Sequence, residues 1–380
     1  MTTNVSALVP ARAEIAQTPP AHHGAFDYAE LEQLGLSPEA VLDFSVNSNP
    51  YGPSPQVRQA VADAPLDRYP DRESLELRRA LAAQLGVAFN HIVIGNGTAE
   101  LLWLISFAFL QQGDRVLVIG PTFGEYARTA ALMGARIKTW QAQPEENFAV
   151  SPEAVERQLF HWNPKMVFLC NPNNPTGRPV PVEMIDGWAR TFPQTLFIVD
   201  EAYLAFAAAA RSALNLGLDN VLVLCSMTKE YALAGLRLGY AVSHNPAVIT
   251  ALAQVRPAWN VNGPAQAAGV AALADRAYLH QCLSALGSAT KSLRAELSSL
   301  GLSPVTSAVH FFLVPVKNGA DFRRRLLEQG ILVRDCASFG LPTYVRIATR
   351  RPEENERLLA AIRMLKASHV SPGGLEKSPV

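Results

Sequence analysis

Residues 221–240 read VLVLCSMTKEYALAGLRLGY. Val221 to Cys225 is an uninterrupted apolar run, the pattern of a strand buried on both faces. A polar turn, Ser226-Met227-Thr228, follows it and delivers Lys229. Eight residues further on, Arg237 lies inside Gly235-Leu236-Arg237-Leu238-Gly239. A lysine just beyond a buried strand can hold an aldehyde as a Schiff base, and a nearby arginine can clamp a phosphate. Pyridoxal phosphate (PLP) carries both groups. The opposing reading, a solvated surface lysine, is weakened by the strand before it and the hydroxyl-rich turn.

Outward from that stretch, short apolar runs alternate with helical ones. Strands are expected at His91–Gly95, Arg115–Ile119, Arg136–Trp140, Met166–Cys170, Leu196–Asp200 and Tyr240–Ser243, besides Val221–Cys225. Helices are expected between them, for example over Thr98–Leu110 and Tyr126–Met133. This alternation predicts an α/β fold with a mostly parallel seven-stranded sheet covered on both faces. Five strands run into loops rich in Gly, Asn, Pro or hydroxyls: GNGTAE, GPTFGEY, CNPNNPTG, VDEAY and CSMTK. In a parallel sheet such loops meet at one edge, where ligands bind.

Each loop offers a candidate. Asp200 ends a buried strand, and a carboxylate there is costly without a cation. A protonated pyridine nitrogen would supply one, and a helix N-cap is the competing role. Tyr203 and Asn174 can hydrogen-bond a phenolic oxygen; their ordinary roles are core packing and turn formation. Thr98 and Ala99 open a helix whose N-terminal amides can bind an anion. Phe123 is a loop aromatic able to stack on a ring, and Tyr69, in Arg68-Tyr69-Pro70-Asp71, lies outside the sheet run. Further along, Arg334 and Arg346 flank strand candidates and have the fork that grips carboxylate or phosphate.

After Arg256-Pro257 the pattern changes to a smaller α+β unit. A long helical region spans Gln266–Leu300, then a strand (His310–Pro315), a helix (Ala320–Gln329), strands at Ile331–Arg334 and Tyr344–Ala348, and a last helix, Pro352–Ala367. The expected organisation is an N-terminal arm (1–20), a segment packing at the active site or small domain (21–44), a large domain (45–256), a small domain (257–370) and a disordered tail (371–380).

The chain has 380 residues, 49% of them hydrophobic and 17% charged, which suits an ordinary two-domain globular protein. Its 33 basic and 33 acidic side chains balance, which argues against a nucleic-acid partner. Cys170, Cys225, Cys282 and Cys336 are far apart in sequence, so no CxxC metal motif exists and no metal is expected. The longest apolar stretch, LLWLISFAFL (Leu101 to Leu110), is about half a membrane span, so a buried helix is expected in its place. No signal peptide is visible in the first residues, and a cytoplasmic location is expected.

Taken as a set, these motifs resemble the fold-type-I PLP enzymes of the class I/II aminotransferase family, over roughly residues 22–366. Within it the chain is similar to the branch holding histidinol-phosphate aminotransferases and the L-threonine-O-3-phosphate decarboxylases of cobalamin biosynthesis. The resemblance implies Lys229 as the Schiff-base lysine, Asp200 on the pyridine nitrogen, Asn174 and Tyr203 on the phenolic oxygen, and Phe123 on the ring. It implies Thr98, Ala99, Ser226, Thr228 and Arg237 on the cofactor phosphate. Tyr69 would reach the phosphate in a neighbouring subunit, implying a homodimer. Arg334, Arg346, His23 and Asn49 would bind substrate.

Asn49-Pro50-Tyr51-Gly52-Pro53-Ser54-Pro55, Arg68-Tyr69-Pro70-Asp71 and Glu353-Glu354-Asn355 resemble the aminotransferases. His23-Gly24, Leu42-Asp43-Phe44-Ser45-Val46-Asn47, the Ser226-to-Lys229 turn and Asp335-Cys336-Ala337-Ser338-Phe339-Gly340 resemble the decarboxylase. Ala25 departs from the decarboxylase His-Gly-Gly pattern, and Thr228 departs from the serine usual in aminotransferases. On PLP, positioning selects which bond breaks. The leading expectation is amino transfer between an anionic amino compound, such as histidinol phosphate, and a 2-oxo acid. Phosphothreonine decarboxylation is the alternative, and a non-catalytic PLP-binding module, which would need a fused segment, is a third reading.

Overall fold

The computed structural model of the protein describes residues 11–370. The first ten residues of the expected arm and the expected disordered tail from 371 lie outside them. Within the remainder of the arm, Ala13–Gln17 is a short helix.

In chain order the strands are β1 (Leu42–Asp43), β2 (Ile92–Gly95), β3 (Arg115–Gly120), β4 (Arg136–Gln141), β5 (Met166–Cys170), β6 (Leu196–Asp200), β7 (Val221–Ser226), β8 (Gly239–Ser243), β9 (Phe311–Pro315), β10 (Ile331–Leu332), β11 (Arg334–Asp335) and β12 (Tyr344–Ala348). Strands β2 to β8 form one sheet in the order β2-β8-β7-β6-β5-β3-β4. Strand β8 runs antiparallel to both neighbours, and every other pairing is parallel. The mostly parallel seven-stranded α/β sheet expected from the pattern is therefore present.

Its central strands are apolar throughout because both faces are covered. Val167, Leu169, Phe197, Val199 and Val223 enter the core on one face. Their neighbours Met166, Phe168, Ile198, Leu222 and Leu224 enter the core on the other. Helix Gly97–Phe109 covers this second face with Leu101, Leu102, Leu104 and Ile105, so the longest apolar stretch is a core helix, as expected. No helix among the described residues is long and apolar enough to cross a membrane.

Strands β11, β12 and β9 form a separate antiparallel sheet in that order. Its core takes in Leu293, Leu297, Phe312, Val314, Ile347 and Leu358, together with Phe44 from the N-terminal segment. Two expectations need correction here. The strand expected at Ile331–Arg334 is two strands, because β10 pairs with β1 whereas β11 pairs with β12. The helical region expected over Gln266–Leu300 is two helices, Gly263–Ala274 and Arg276–Ser299. Asp275 separates them, and its carboxylate caps the second by accepting from the Tyr278 amide at 3.3 Å. Ala265, Ala268, Ala272 and Leu273 of the first helix pack into the core of the large sheet.

Candidate active site

Strands β2, β3, β5, β6 and β7 all run the same way, so their carboxyl ends share one edge of the sheet. A cavity of 120 Å³ opens there. Its wall contains Thr98, Ala99, Phe123, Asn174, Asp200 and Tyr203. Ser226, Thr228, Lys229 and Arg237 are also in it, so every residue expected around the cofactor except Tyr69 lines this cavity. These come from all five loops.

Asp200 sits in register between Cys170 and Leu224 and is 5% exposed. Its Oδ2 accepts from the Tyr126 hydroxyl at 2.8 Å and its Oδ1 from the Ala202 amide at 3.0 Å. Burial raises its pKa, and these two donors and Lys229 only partly oppose that. Lys229 is perturbed the other way. Burial first, then the positive charges of Arg346 and Arg237, lower its pKa to about 8. Both groups are thus held where their charged forms are poorly solvated.

The anion end of the cavity is built from small and hydroxyl residues. Ser226 and Thr228 hydroxyls lie 2.7 Å apart and bond each other. Gly97 has φ +74°, and a Cβ on it would stand 2.9 Å from Arg237 Nη2. Only glycine lets this helix start and the guanidinium approach so closely. Gly239, where β8 begins, passes equally close to the backbone of Gly97 and Thr98.

The Asn171–Gly177 loop is pinned on several sides. Asn171 exchanges two bonds with the Val180 backbone, at 3.0 and 2.8 Å. Asn173 accepts from the Thr122 hydroxyl at 2.7 Å and donates to the Pro121 carbonyl at 2.8 Å. Asn174, left free by its neighbours, accepts from Arg346. Arg346 is 5% exposed, also donates to the Ser45 carbonyl, and keeps its buried Nε without a partner among the described residues.

Arg334 and His23 line an adjoining 670 Å³ cleft with Gly24, Ala25, Ser45 and Arg323. Arg334 donates to the His22 carbonyl at 3.0 Å and to Ser338 Oγ at 2.7 Å. His23 Nε2 is 3.1 Å from Glu125 Oε1, and its ring centroid is 5.4 Å from that of Phe123. The bond to His23 and the nearby Arg128 hold the Glu125 carboxyl below its usual range.

Three expected residues line neither cavity: Arg346, which reaches Asn174 from behind the wall, Asn49 and Tyr69. Asn49 is buried, but its amide donates to the Glu230 carbonyl at 3.0 Å and accepts from the Tyr51 amide at 3.0 Å. It braces the backbone beside Lys229, with both of its amide atoms engaged by the chain. Tyr69 is 77% exposed and stacks on Trp259 at 4.6 Å.

Sequence reading missed Tyr126, Cys170 and Ala202, which complete the cavity wall. It also missed Asn47, which is 2% exposed, beside Tyr203, with both amide atoms unpartnered among the described residues. A tyrosine opening a helix reads as core in any sequence. Asn47 lay in a quoted segment, but nothing local distinguished it from Asn49.

The residues fit PLP on physical grounds. A buried amine of lowered pKa suits an aldehyde, a buried carboxylate with no salt bridge among the described residues suits a pyridinium, and the Gly97–Arg237–Ser226–Thr228 cradle suits a phosphate.

A sequence model of the family described as aminotransferase class I and II matches residues 39–362. A histidinol-phosphate aminotransferase of Moorella thermoacetica is 36% identical over 346 residues, covering 88% of each chain. The crystal structure of histidinol-phosphate aminotransferase from Sinorhizobium meliloti, in complex with pyridoxal-5'-phosphate, superposes with a TM-score of 0.85 at 28% identity. It covers 95% of this chain and 99% of its own. L-threonine-O-3-phosphate decarboxylase from Porphyromonas gingivalis superposes with a TM-score of 0.75 at 26% identity, covering 85% of this chain and 99% of its own.

Proposed function

This chain belongs to the class I and II aminotransferase family and is a PLP-dependent aminotransferase, and from that premise we propose that it moves an amino group between histidinol phosphate and a 2-oxo acid. The observation that carries the substrate class is a pair of buried arginines, Arg346, bonded to Asn174 in the wall of the Lys229–Asp200 cavity, and Arg334, lining the adjoining cleft. Both half-reactions use one site, so the same cations must accept a phosphate and then a carboxylate. Arginine forks serve either anion. Arg346 offers its unpartnered Nε, and Arg334 faces the roomy cleft that an imidazole side chain would need.

In this reading Lys229 holds the cofactor covalently, Asp200 faces its pyridine nitrogen, and Asn174 and Tyr203 face its phenolic oxygen. Phe123 covers the ring, while Thr98, Ala99, Ser226, Thr228 and Arg237 hold the phosphate. When bound, PLP supplies an electron sink for negative charge at the substrate carbon. Released when the substrate's amino group takes its place on the cofactor, Lys229 Nζ would take the proton from the carbon bearing that group. Its pKa near 8 keeps a working fraction of neutral amine at neutral pH. Asn49 and Tyr126 are positioning residues, acting through the Glu230 backbone and the Asp200 carboxylate. His23, held by Glu125, stands at the substrate side of Phe123.

The same reading makes the protein a cytoplasmic homodimer. Tyr69, Trp259 and Leu66 support the dimer, since they leave large apolar surface exposed at 77%, 47% and 85%. It also divides the chain into a cofactor-binding unit (45–256) and a smaller unit (257–370), with helix Gly263–Ala274 of the second packed into the core of the large sheet.

The deciding assay supplies the PLP-loaded protein with histidinol phosphate and 2-oxoglutarate, and in parallel with phosphothreonine alone. Glutamate formation in the first is the expected result. Carbon dioxide from the second without glutamate in the first would establish the decarboxylase in its place.

A further inference from the structure

A cavity of 520 Å³ lies between helix Arg276–Ser299 and the segment leading into β9, and it shares no residue with the cofactor cavity or the adjoining cleft. Phe206, Leu283, Leu286 and Val309 make an apolar wall. Lys291 and Arg294, on one side of the helix, bring two positive charges, and none of its lining residues is acidic. Lys291 is exposed, and Arg294 makes a single long bond to the Ser307 carbonyl, at 3.4 Å, with its guanidinium 5.7 Å from the Phe312 ring. Most of the arginine's donors are therefore uncommitted.

His310 belongs to the cavity wall and is 3% exposed, with both ring nitrogens buried from solvent and without a partner among the described residues. Burial, with Arg346 and Lys229 on its other side, lowers its pKa to about 3. The ring is neutral and presents one N–H donor and one lone-pair acceptor. Phe206 packs against it at 4.1 Å between centroids, which holds the ring in place. An apolar wall beside two cations that meet no acidic side chain among the lining residues is a site without an occupant from its own chain.

We propose that this cavity is a second small-molecule site, for a compact apolar or aromatic body that bears one phosphate or carboxylate. The anion pairs with Lys291 and Arg294, and the body lies on Leu283, Leu286 and Phe206. Nothing in the amino-transfer reaction uses these residues.

The test is calorimetric titration of the PLP-loaded enzyme with phenyl phosphate, comparing wild type with Lys291→Glu, Arg294→Gln and Arg346→Gln. Phenyl phosphate also suits the active site, and Arg346→Gln identifies that contribution. The expected result is a binding event weakened roughly tenfold or more by Lys291→Glu or Arg294→Gln and retained in Arg346→Gln. Amino-transfer kcat and KM should stay within about twofold of wild type in both helix variants. Lys291 is exposed, so its variant folds even if Arg294→Gln does not. Titrations unchanged in both helix variants overturn the proposal. Inorganic phosphate should bind this site about tenfold more weakly than phenyl phosphate, and equal affinity would refute the part played by the apolar wall.

Discussion

Lys229 and Asp200 are two ionisable groups held in a poorly solvating site, and their shifts have measurable consequences. The folded pKa of Lys229, about 8, lies below its ordinary 10.5. Between these values the unfolded chain binds more protons than the folded one, so the stability of the cofactor-free protein rises with pH across that window. A Lys229→Met variant lacks this dependence. Urea unfolding should show the variant's stability advantage shrinking by about 2 kcal/mol between pH 8 and pH 10. A constant difference would mean that the amine is not desolvated. Lys229→Ala should abolish borohydride fixation of the cofactor, and a retained adduct would move the attachment elsewhere. Asp200→Asn keeps the shape but removes the charge expected beside the pyridine nitrogen. Its kcat should fall roughly a hundredfold or more. Tyr126→Phe deletes one bond to Asp200 and should cost about tenfold or less, a difference that separates a supporting residue from a principal one. Asp200 was legible because a carboxylate at the end of an apolar strand is anomalous. Tyr126 was not, because a buried tyrosine is ordinary.

The elements that matter most are strand ends. Apolar runs of four to six residues showed where the sheet would be, since each strand is covered on both faces and needs no polar alternation. The reversed direction of β8 carries no comparable local signal. It emerges only in the pairing of β8 with β2 and β7, after the Met227–Leu238 connection. The division of 331–335 between two sheets was equally hidden, because partners, not composition, decide it. The start of helix Gly97–Phe109 yields a sharp expectation. At Gly97, alanine would face both a positive φ and a contact of 2.9 Å with Arg237. Gly97→Ala should weaken PLP binding about tenfold and lower stability by roughly 1–2 kcal/mol, measured by PLP titration and urea unfolding. Unchanged cofactor affinity would show that the Gly97–Arg237 approach does not shape the phosphate cradle.

At the level of the whole chain, the N-terminal segment ties both units together beside the site. Its Glu30 pairs with Arg323 at 2.7 Å, the His22 carbonyl accepts from Arg334, and His23 reaches Glu125 on the large-sheet side. Glu125→Gln loosens that last link and should raise KM for the amino substrate about three- to tenfold while kcat changes less. A fall in kcat with KM unchanged would place the role of Glu125 in the chemical step. Tyr69→Ala should lower PLP retention only if a second subunit completes the site, so light scattering and cofactor content measured together test the dimer. The order of strands and loops, the cofactor they imply and the identity of ten cavity residues were readable along the chain. Apolar runs, glycines and a lone strand-end charge are local signals with local causes. Which amides and guanidiniums remain available was not readable. Asn174 meets Arg346 across 172 residues, Asn49 spends its amide on the backbone of residue 230, and His310 is buried without a partner. Those outcomes depend on how segments distant in the chain pack against each other, and such packing leaves no trace in the spacing of neighbours.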